Sequence, residues 1–199
     1  MENKAPHHAA RFKPESLVAL HLERKEGLVP AWLCLTSDDC FESLEPSAAE
    51  FLHPKELEKF RGLAIAKRRA SFLLGRYSLK KAAGAFLGVA NFKALEIRSA
   101  ILEYPILKYP EAEIPDLTLS HADRIGGAIA FQAGHVMGLD VEWLNPARKK
   151  VFERILTKAE HAHCTRLPTD DLELFGVYWT FKEALSKAVK CGFTVPFHI

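Results

Sequence analysis

The chain has 199 residues, of which 48% are apolar and 26% are charged, an ordinary globular balance. That length suffices for one large domain or for two small domains with hydrophobic cores. The net charge of +2 and the lack of any apolar run of membrane-spanning length argue against bulk binding to nucleic acid or to a membrane.

The first third of the sequence changes from polar to helical in character. Residues 1–26 are polar and irregular, which predicts a flexible N-terminal arm. The apolar run at 31–35 favours a buried strand. Residues 47–50 have the spacing of a capping box, so a short helix is expected to begin there. From about Pro54 the pattern becomes helical, and the apolar spacing at 70–77 predicts a helix that ends at Gly88.

The rest of the chain predicts strands and then helices. Between about 92 and 142, prolines separate short segments, and strands are expected at 117–120, 128–131 and 136–141. Residues 157–160 repeat the capping-box spacing, and a last long helix is expected from about Asp170. Helices, strands and helices in this order indicate an α+β fold.

A basic stretch occupies residues 67–95, which contain seven Lys or Arg and no Asp or Glu. Arg69, Arg76 and Lys80 lie within about 40° of one another on the predicted helix, so they share one edge of it. This pattern suggests a local anion site. A solvated basic helix face is the alternative, and so is an anion- or nucleic-acid-binding surface at 67–81.

Two acids, Asp140 and Glu142, alternate with the apolar Leu139 and Val141. In a strand, alternate side chains point to the same face, which would place the two acids about 7 Å apart along the backbone. Paired carboxylates suit a hard cation such as Mg²⁺, which keeps waters that a phosphate substrate can replace. An exposed strand face that carries two acids is the alternative interpretation.

The last predicted helix carries Trp179, Glu183 and Lys187 at four-residue intervals, and therefore on one stripe. Glu183 would be a third carboxylate, and Lys187 would meet phosphate oxygens. A surface ion pair between Glu183 and Lys187 is the plainer interpretation. Ser120 and His121 end a predicted strand, where both can donate hydrogen bonds to phosphate, although a lone histidine is more often structural.

Several segments resemble the motifs of the Sfp-type 4′-phosphopantetheinyl transferase family. The segment GLDVE at 138–142 resembles G-(I/V)-D-(I/V)-E, and WTFKEALSK at 179–187 resembles W-x-x-K-E-A-x-x-K. The dipeptide at 120–121 resembles the S-H motif, and residues 68–76 resemble a segment of the bacterial siderophore branch. The turn at 157–160 resembles the family's acid-containing turn. In order and spacing, the resemblance covers about residues 30–195.

The resemblance implies a fold of two similar α+β halves related by a pseudo-twofold, with coenzyme A in the cleft between them. On this basis we expect an arm at 1–26, a first half at 27–116 and a second half at 117–199. Relatives continue with further strands beyond the position of Gly192. That difference leaves open a truncated second half, a piece of a larger protein and an unusually short relative.

The resemblance also implies a reaction, in which 4′-phosphopantetheine passes from coenzyme A to a serine of an apo acyl or peptidyl carrier protein and 3′,5′-ADP is released. Asp140, Glu142 and Glu183 would hold Mg²⁺ or Mn²⁺ on the pyrophosphate. The expected catalytic residues are Glu183 as the base, Lys187 and Asp140. Contacts with coenzyme A are expected from the side chains of Arg69, Arg76, Lys80, Ser120, His121 and Lys187.

The sequence departs from the family at two phosphate contacts. Many relatives have Gly-Lys-Pro where Glu103, Tyr104 and Pro105 stand, so the contact made by that lysine is either missing or made by Lys108. Many relatives also have arginine at the position of Lys80, and a lysine lacks the bidentate fork of arginine.

The sequence also suggests where the protein is located and which other functions are possible. We expect a cytoplasmic monomer that binds neither nucleic acid nor a membrane, because no signal peptide or disulfide framework is recognisable. The main rival is a non-catalytic relative that binds coenzyme A or a carrier protein. A zinc site at His161, His163 and Cys164 is a weaker rival, since no second cluster has zinc spacing.

Overall fold

The computed structural model describes residues 15–25, 27–100, 104–110, 113–122 and 125–190. The expectations for residues 1–14, for Glu103 and for 191–199 lie outside this part of the chain. The described strands are β1 (Glu15–Arg24), β2 (Gly27–Ser37), β3 (Glu96–Ser99), β4 (Pro105–Lys108), β5 (Asp116–Ala122) and β6 (Ile125–Phe131).

An antiparallel four-stranded sheet in the order β1-β2-β6-β5 forms the centre of the fold, and β3 and β4 form a separate antiparallel pair. Strands were correctly expected within β2, β5 and β6. The sheet joins strands from both sides of the boundary predicted between residues 116 and 117. The α+β class is confirmed, whereas the pseudo-twofold relation between two halves stays a prediction.

Strand β1 corrects the expectation of an arm over residues 1–26. It pairs with β2 along its whole length, from Glu15 opposite Thr36 to Arg24 opposite Gly27. Most residues of β1 are half-buried or exposed, because it is the edge strand of the sheet. Its mixed polar sequence therefore resembles that of a loop, and the hydrogen bonds to β2 hold it in place.

No strand is found at 136–141 in the part of the chain that the structure describes, which corrects that expectation for these residues. Among them, this segment makes no backbone ladder. Instead, the Leu139 N–H donates to Thr118 Oγ1 at 3.3 Å and the Val141 N–H donates to Ser120 Oγ at 3.2 Å. Side-chain hydroxyls of β5 thus take the place of the backbone carbonyls of a partner strand. Hydropathy alternation alone does not distinguish the two arrangements.

The described helices are α1 (Phe41–Leu44), α2 (Ala48–Phe51), α3 (Pro54–Arg61), α4 (Ala66–Leu87), α5 (Lys149–Glu153), α6 (Lys158–Cys164) and α7 (Asp171–Ala188). Helix α4 ends as predicted at Gly88, which has the left-handed φ of +68°. The capping box at Thr157 and Glu160 is present in α6, whereas Ser47 precedes α2 without capping it through its side chain. None of the helices described here is long and apolar enough to span a membrane.

Two packed regions position the site. Helix α4 packs against β2, β5 and β6, and this contact buries the largest core cluster. Helices α5, α6 and α7 enclose a smaller core around Phe152, Leu156, Cys164 and Phe175. The irregular segment after β6 connects the two regions and brings α7 beside β5.

Candidate active site

A cavity of about 480 Å³ lies between β5, the segment at 137–142 and helix α7. It gathers six residues that the sequence singled out, namely Ser120, His121, Asp140, Glu142, Glu183 and Lys187. Its other walls include Tyr104, Phe131, Met137 and Trp179. Its volume falls within the usual range of small-molecule sites, about 300–1,000 Å³.

Gly138 lets the acidic segment approach α7 closely enough to line the cavity. A Cβ at this position would lie 1.9 Å from the carbonyl oxygen of Ala184, so only glycine fits. Beyond Gly138, the side chains of Leu139 and Val141 lie beside Gly127 of β6. Asp140 and Glu142 line the cavity, so the side chains alternate as expected even though the segment is not a strand.

Asp140, Ser120 and Lys187 form a closed hydrogen-bonded triangle. Asp140 Oδ1 accepts from Ser120 Oγ at 2.7 Å and from Lys187 Nζ at 2.6 Å, and Lys187 Nζ also donates to Ser120 Oγ at 2.9 Å. The Asp140 side chain is only 7% exposed. Its second oxygen, Oδ2, is buried and has no hydrogen-bond partner within the described part of the chain. Buried acceptors of this kind are rare and call for a partner.

Glu183 carries a second unpartnered oxygen. The residue is buried, and its Oε1 has no hydrogen-bond partner among the described residues. Burial and the nearby carboxylate of Asp140 raise the pKa of Glu183 to about 7, against the opposing charge of Lys187 and with a further contribution from Glu142. A carboxyl group with this pKa can exchange a proton near neutral pH.

Glu142 is tied to a cation that the sequence did not single out. Its Oε1 accepts from Arg148 Nη1 at 2.5 Å and from the Trp143 N–H at 3.0 Å. Arg148 follows Glu142 by six residues across an irregular segment, so no periodic pattern in the sequence predicts their contact. Thr118, which holds the acidic segment, was also missed, although it alternates with Ser120 on β5 and therefore shares its face.

His121 lies where two cavities meet. It lines the cavity described above and also a second one of about 320 Å³, whose lining includes Asp38, Lys67 and Ser71. Burial and the positive charge of Lys187, with a smaller effect from Lys67, lower the pKa of His121 despite the opposing charge of Asp140. The neutral ring can donate one hydrogen bond and accept another.

Lys80 does not belong to this site, which corrects the expectation that it contacts coenzyme A. Its side chain is fully buried and lies 2.8 Å from Glu56 Oε2. Its Nζ also donates to the carbonyl oxygens of Phe92, at 2.9 Å, and of Leu95. The helix edge predicted from the spacing exists, but at Lys80 it faces α3 and the start of β3 instead of a cleft.

Arg76 and Arg69 are also placed elsewhere, so the expected contacts with coenzyme A are corrected for them too. Arg76 is buried, with its guanidinium 4.9 Å from the Phe72 ring and its Nε 3.6 Å from Glu56 Oε1. Arg69 forms an ion pair with Glu45 at 2.6 Å. The two cavities that meet at His121 are not lined by Arg69 or Arg76. They are also not lined by Lys108, the expected substitute for the family's lysine.

The acids fit a divalent cation in part. Within the described residues, no group of three or more His, Cys, Asp or Glu is arranged to hold a metal. Asp140 and Glu183 nevertheless each present a buried, unpartnered oxygen, as a hard cation requires. Glu142 differs because Arg148 pairs with its Oε1. The zinc alternative loses its thiolate ligand, because Cys164 is buried in the core of α5, α6 and α7.

A protein-family model matches the C-terminal part of the chain. Residues 136–199 match the family model described as the 4′-phosphopantetheinyl transferase superfamily. These residues include both acidic motifs, and the resemblance is thereby confirmed at the level of the superfamily. The Sfp-type subfamily stays a prediction. No curated protein sequence matches the chain.

Two solved structures have distant similarity. The holo-(acyl-carrier-protein) synthase of Bacillus anthracis, in complex with CoA (3′,5′-ADP), is 21% identical, with 51% of this chain and 93% of that chain covered and a TM-score of 0.48. The holo-[acyl-carrier-protein] synthase of Thermotoga maritima is also 21% identical, with 55% and 66% covered and a TM-score of 0.42.

Proposed function

We propose that this chain transfers the 4′-phosphopantetheine group of coenzyme A to a serine hydroxyl of an acyl or peptidyl carrier protein. The observation that carries the proposal is the cavity in which two buried carboxylates with unpartnered oxygens face Lys187. The superfamily match over residues 136–199 includes these three residues. Buried carboxylates beside a lysine in a cleft are the arrangement expected for transfer of a phosphate group.

Glu183 is suited to remove the serine proton. In the proposed reaction, the serine oxygen forms a bond to the phosphorus that carries pantetheine, and the bond from that phosphorus to 3′,5′-ADP breaks. The electron pair of the broken bond leaves with ADP, and the serine proton passes to Glu183. In the metal-free site, burial and the Asp140 carboxylate raise the pKa of Glu183 to about 7, which favours proton uptake by this carboxyl group.

Lys187 is suited to neutralise the departing phosphate. An ammonium group has three donors, and two of them are directed at Asp140 and Ser120. The third donor remains for a phosphate oxygen in the same cavity. Because the hydrogen bonds to Asp140 and Ser120 hold Nζ in place, the charge is positioned before the reaction begins, which is where electrostatic catalysis gains most.

Mg²⁺ is the proposed cofactor, with Mn²⁺ as an alternative. Asp140 and Glu183 would hold it through their unpartnered oxygens, and Glu142 would be the third carboxylate. When bound, the cation supplies neutralisation and orientation of the pyrophosphate. Without it, two buried carboxylates line the same cavity, and burial together with the charge of Asp140 raises the pKa of Glu183.

The second cavity suggests where a terminal phosphate of coenzyme A lies. His121 joins the two cavities, and Lys67 lies on the wall of the second one, near enough to affect the pKa of His121. We therefore assign the phosphate contact that was expected of Lys80 to His121 and Lys67. Both can donate to phosphate oxygens at a surface that the ligand can reach, whereas Lys80 is fully buried.

The test of the proposed function is mass spectrometry of several apo carrier proteins incubated with the chain, coenzyme A and Mg²⁺. Transfer adds one phosphopantetheine to the carrier. Glu183→Gln should remove transfer, while Glu173→Gln, an exposed position on the same helix, should leave it unchanged. Equal activity in both variants would contradict the role of Glu183, and no transfer to any carrier would contradict the proposal.

The non-catalytic alternative gives a different result in the same preparation. A chain that binds coenzyme A, measured by calorimetry, but never modifies a carrier would be a binding relative. The buried, unpartnered oxygens of Asp140 and Glu183 favour the catalytic function, because a binding role alone does not offset the free energy lost by leaving them unpaired.

A further inference from the structure

Glu142 is anchored through one of its two oxygens. Arg148 and the Trp143 N–H both donate to Oε1, at 2.5 and 3.0 Å. The Glu142 side chain is only 10% exposed. Two donors on one oxygen fix the direction in which the carboxylate points. Because a carboxylate is rigid, they also fix the position of its second oxygen.

Arg148 is itself held by two aromatic rings. Its guanidinium carbon lies 5.0 Å from the Phe152 ring centroid and 5.6 Å from that of Trp179. The two rings are in contact, with centroids 5.5 Å apart, and Phe152 is fully buried in the core of α5, α6 and α7. A planar guanidinium stacks well on aromatic faces, so this pair of rings fixes the position of Arg148.

We infer that Arg148, held by Phe152 and Trp179, is a positioning residue that orients Glu142 toward a divalent cation. The inference rests on the proposed function, which places the cation between Asp140 and Glu183. Asp140 shows the same division of labour, since Oδ1 accepts from Ser120 and Lys187 while Oδ2 has no partner among the described residues. The inference also gives a role to Trp179, which lies one helical turn before Glu183.

Two opposing effects decide the sign of the expected result. The positive charge of Arg148 repels a cation, which would favour tighter metal binding once the charge is removed. Its side chain, however, is 38% exposed, so solvent screens that repulsion. Partners that orient metal-ligating carboxylates commonly contribute about 10–100-fold to metal affinity. We therefore expect the orienting effect to exceed the repulsion.

Mn²⁺ binding to the whole chain without coenzyme A, followed by electron paramagnetic resonance, tests the inference. Arg148→Met keeps most of the aliphatic stem and removes both the charge and the hydrogen bond. Its Mn²⁺ affinity should fall by about 10–100-fold. Arg154→Met, an exposed position at the end of α5, is the matched control and should bind Mn²⁺ like the wild type. Wild-type or tighter binding by Arg148→Met would overturn the inference.

A second readout separates positioning from a general effect on structure. In transfer assays, Arg148→Met should raise the Mn²⁺ concentration that gives half the maximal rate, while the rate at saturating Mn²⁺ stays near that of the wild type. Arg148→Lys keeps the charge without the planar fork and should lose an intermediate amount of affinity. If Arg148→Met does not fold, Arg148→Lys decides the question, and unchanged affinity in that variant overturns the inference.

Asp140→Asn and Glu183→Gln distinguish failure of the inference from failure of the proposed function. If both lose Mn²⁺ binding and Arg148→Met does not, the site exists and Arg148 has no part in it. If both bind Mn²⁺ as tightly as the wild type, or the wild type binds none, the proposed metal site is wrong and the inference is overturned with it. Loss of binding in all three variants, with Arg154→Met unaffected, supports both.

Discussion

Helices α4 and α7 each direct ionisable side chains toward the protein interior, but the two groups of charges are arranged differently. On α4, Lys80 and Arg76 meet Glu56, which also accepts from the backbone N–H groups of His53, at 2.9 Å, and Ile97, at 2.8 Å. On α7, Glu183 faces Asp140 across the cavity and leaves an oxygen without a partner among the described residues.

The two clusters differ in the kind of atom that has no hydrogen-bond partner among the described residues. In the α4 cluster it is a donor, Arg76 Nε, which still lies 3.6 Å from a carboxylate oxygen of Glu56. In the α7 site the unpartnered atoms are carboxylate oxygens of Asp140 and Glu183, next to other acids. The first group places two cations around the carboxylate of Glu56, whereas the second brings carboxylates together on the wall of one cavity.

The largest effect is expected on the transfer rate when the charge of Glu183 on α7 is removed. Glu183→Gln should reduce the transfer rate by about 10²–10⁴-fold, the usual contribution of a general base. Thermal stability should be maintained or rise, because the substitution removes a charge from a buried acidic site. Carrier modification followed by mass spectrometry and a thermal melt test both parts. If Glu183→Gln kept its transfer activity and lost much of its stability, Glu183 would have a structural role and not a catalytic one.

The next largest effect is expected in the α4 cluster, and on stability instead of activity. Lys80→Met leaves Glu56 buried with a weakened partnership, which should cost about 3–5 kcal/mol of unfolding free energy. Urea unfolding measures that loss. The preference for coenzyme A over 3′-dephospho-coenzyme A should not change in the folded fraction. If Lys80→Met weakened the binding of coenzyme A but not that of 3′-dephospho-coenzyme A, Lys80 would contact the 3′-phosphate after all.

In metal-free protein, two carboxyl groups beside or on α7 should make stability depend on pH in opposite directions. The pKa of Glu183 is raised from 4.5 to about 7, so its favourable contribution is present below the unfolded value and is lost as the pH rises through 7. Glu160, bonded to Lys182, has a lowered pKa despite its burial, so its contribution is lost as the pH falls below its ordinary range.

Unfolding by urea at a series of pH values, in the presence of a chelator, measures this dependence. Glu183→Gln should remove the decline in stability between about pH 4.5 and 7, because the amide does not titrate. Glu160→Gln should leave that decline in place. A decline that persists unchanged in Glu183→Gln would show that another group is responsible.

The smallest effect is expected one residue along α4 from the buried lysine. Lys81 pairs with Glu15 of β1 at 2.7 Å, with the two side chains 25% and 33% exposed. Lys81→Met should cost only about 0–1 kcal/mol, and less at high salt, because solvent screens the pair. Urea midpoints at low and high salt test this. A loss equal to that of Lys80→Met would mean that burial does not govern the difference.

The sequence by itself determined those features that depend on local chemistry. The end of α4 at Gly88 and the capping box of α6 follow from side-chain and backbone preferences within a few residues. The short spacings within 138–142 and 179–187 likewise place Asp140 and Glu142 on one side and Glu183 and Lys187 on one stripe. These elements were predictable because no distant contact is needed to set them.

Only the tertiary structure decided which charges line the cavity. Lys80 and Glu183 both belong to inward-facing positions on long helices, and their different fates depend on what packs opposite them, α3 in one case and the segment after β6 in the other. The edge strand β1 and the pairing of Arg148 with Glu142 likewise depend on contacts that no local pattern contains. Burial and partnership are properties of the folded chain, so residue type and spacing could not supply them.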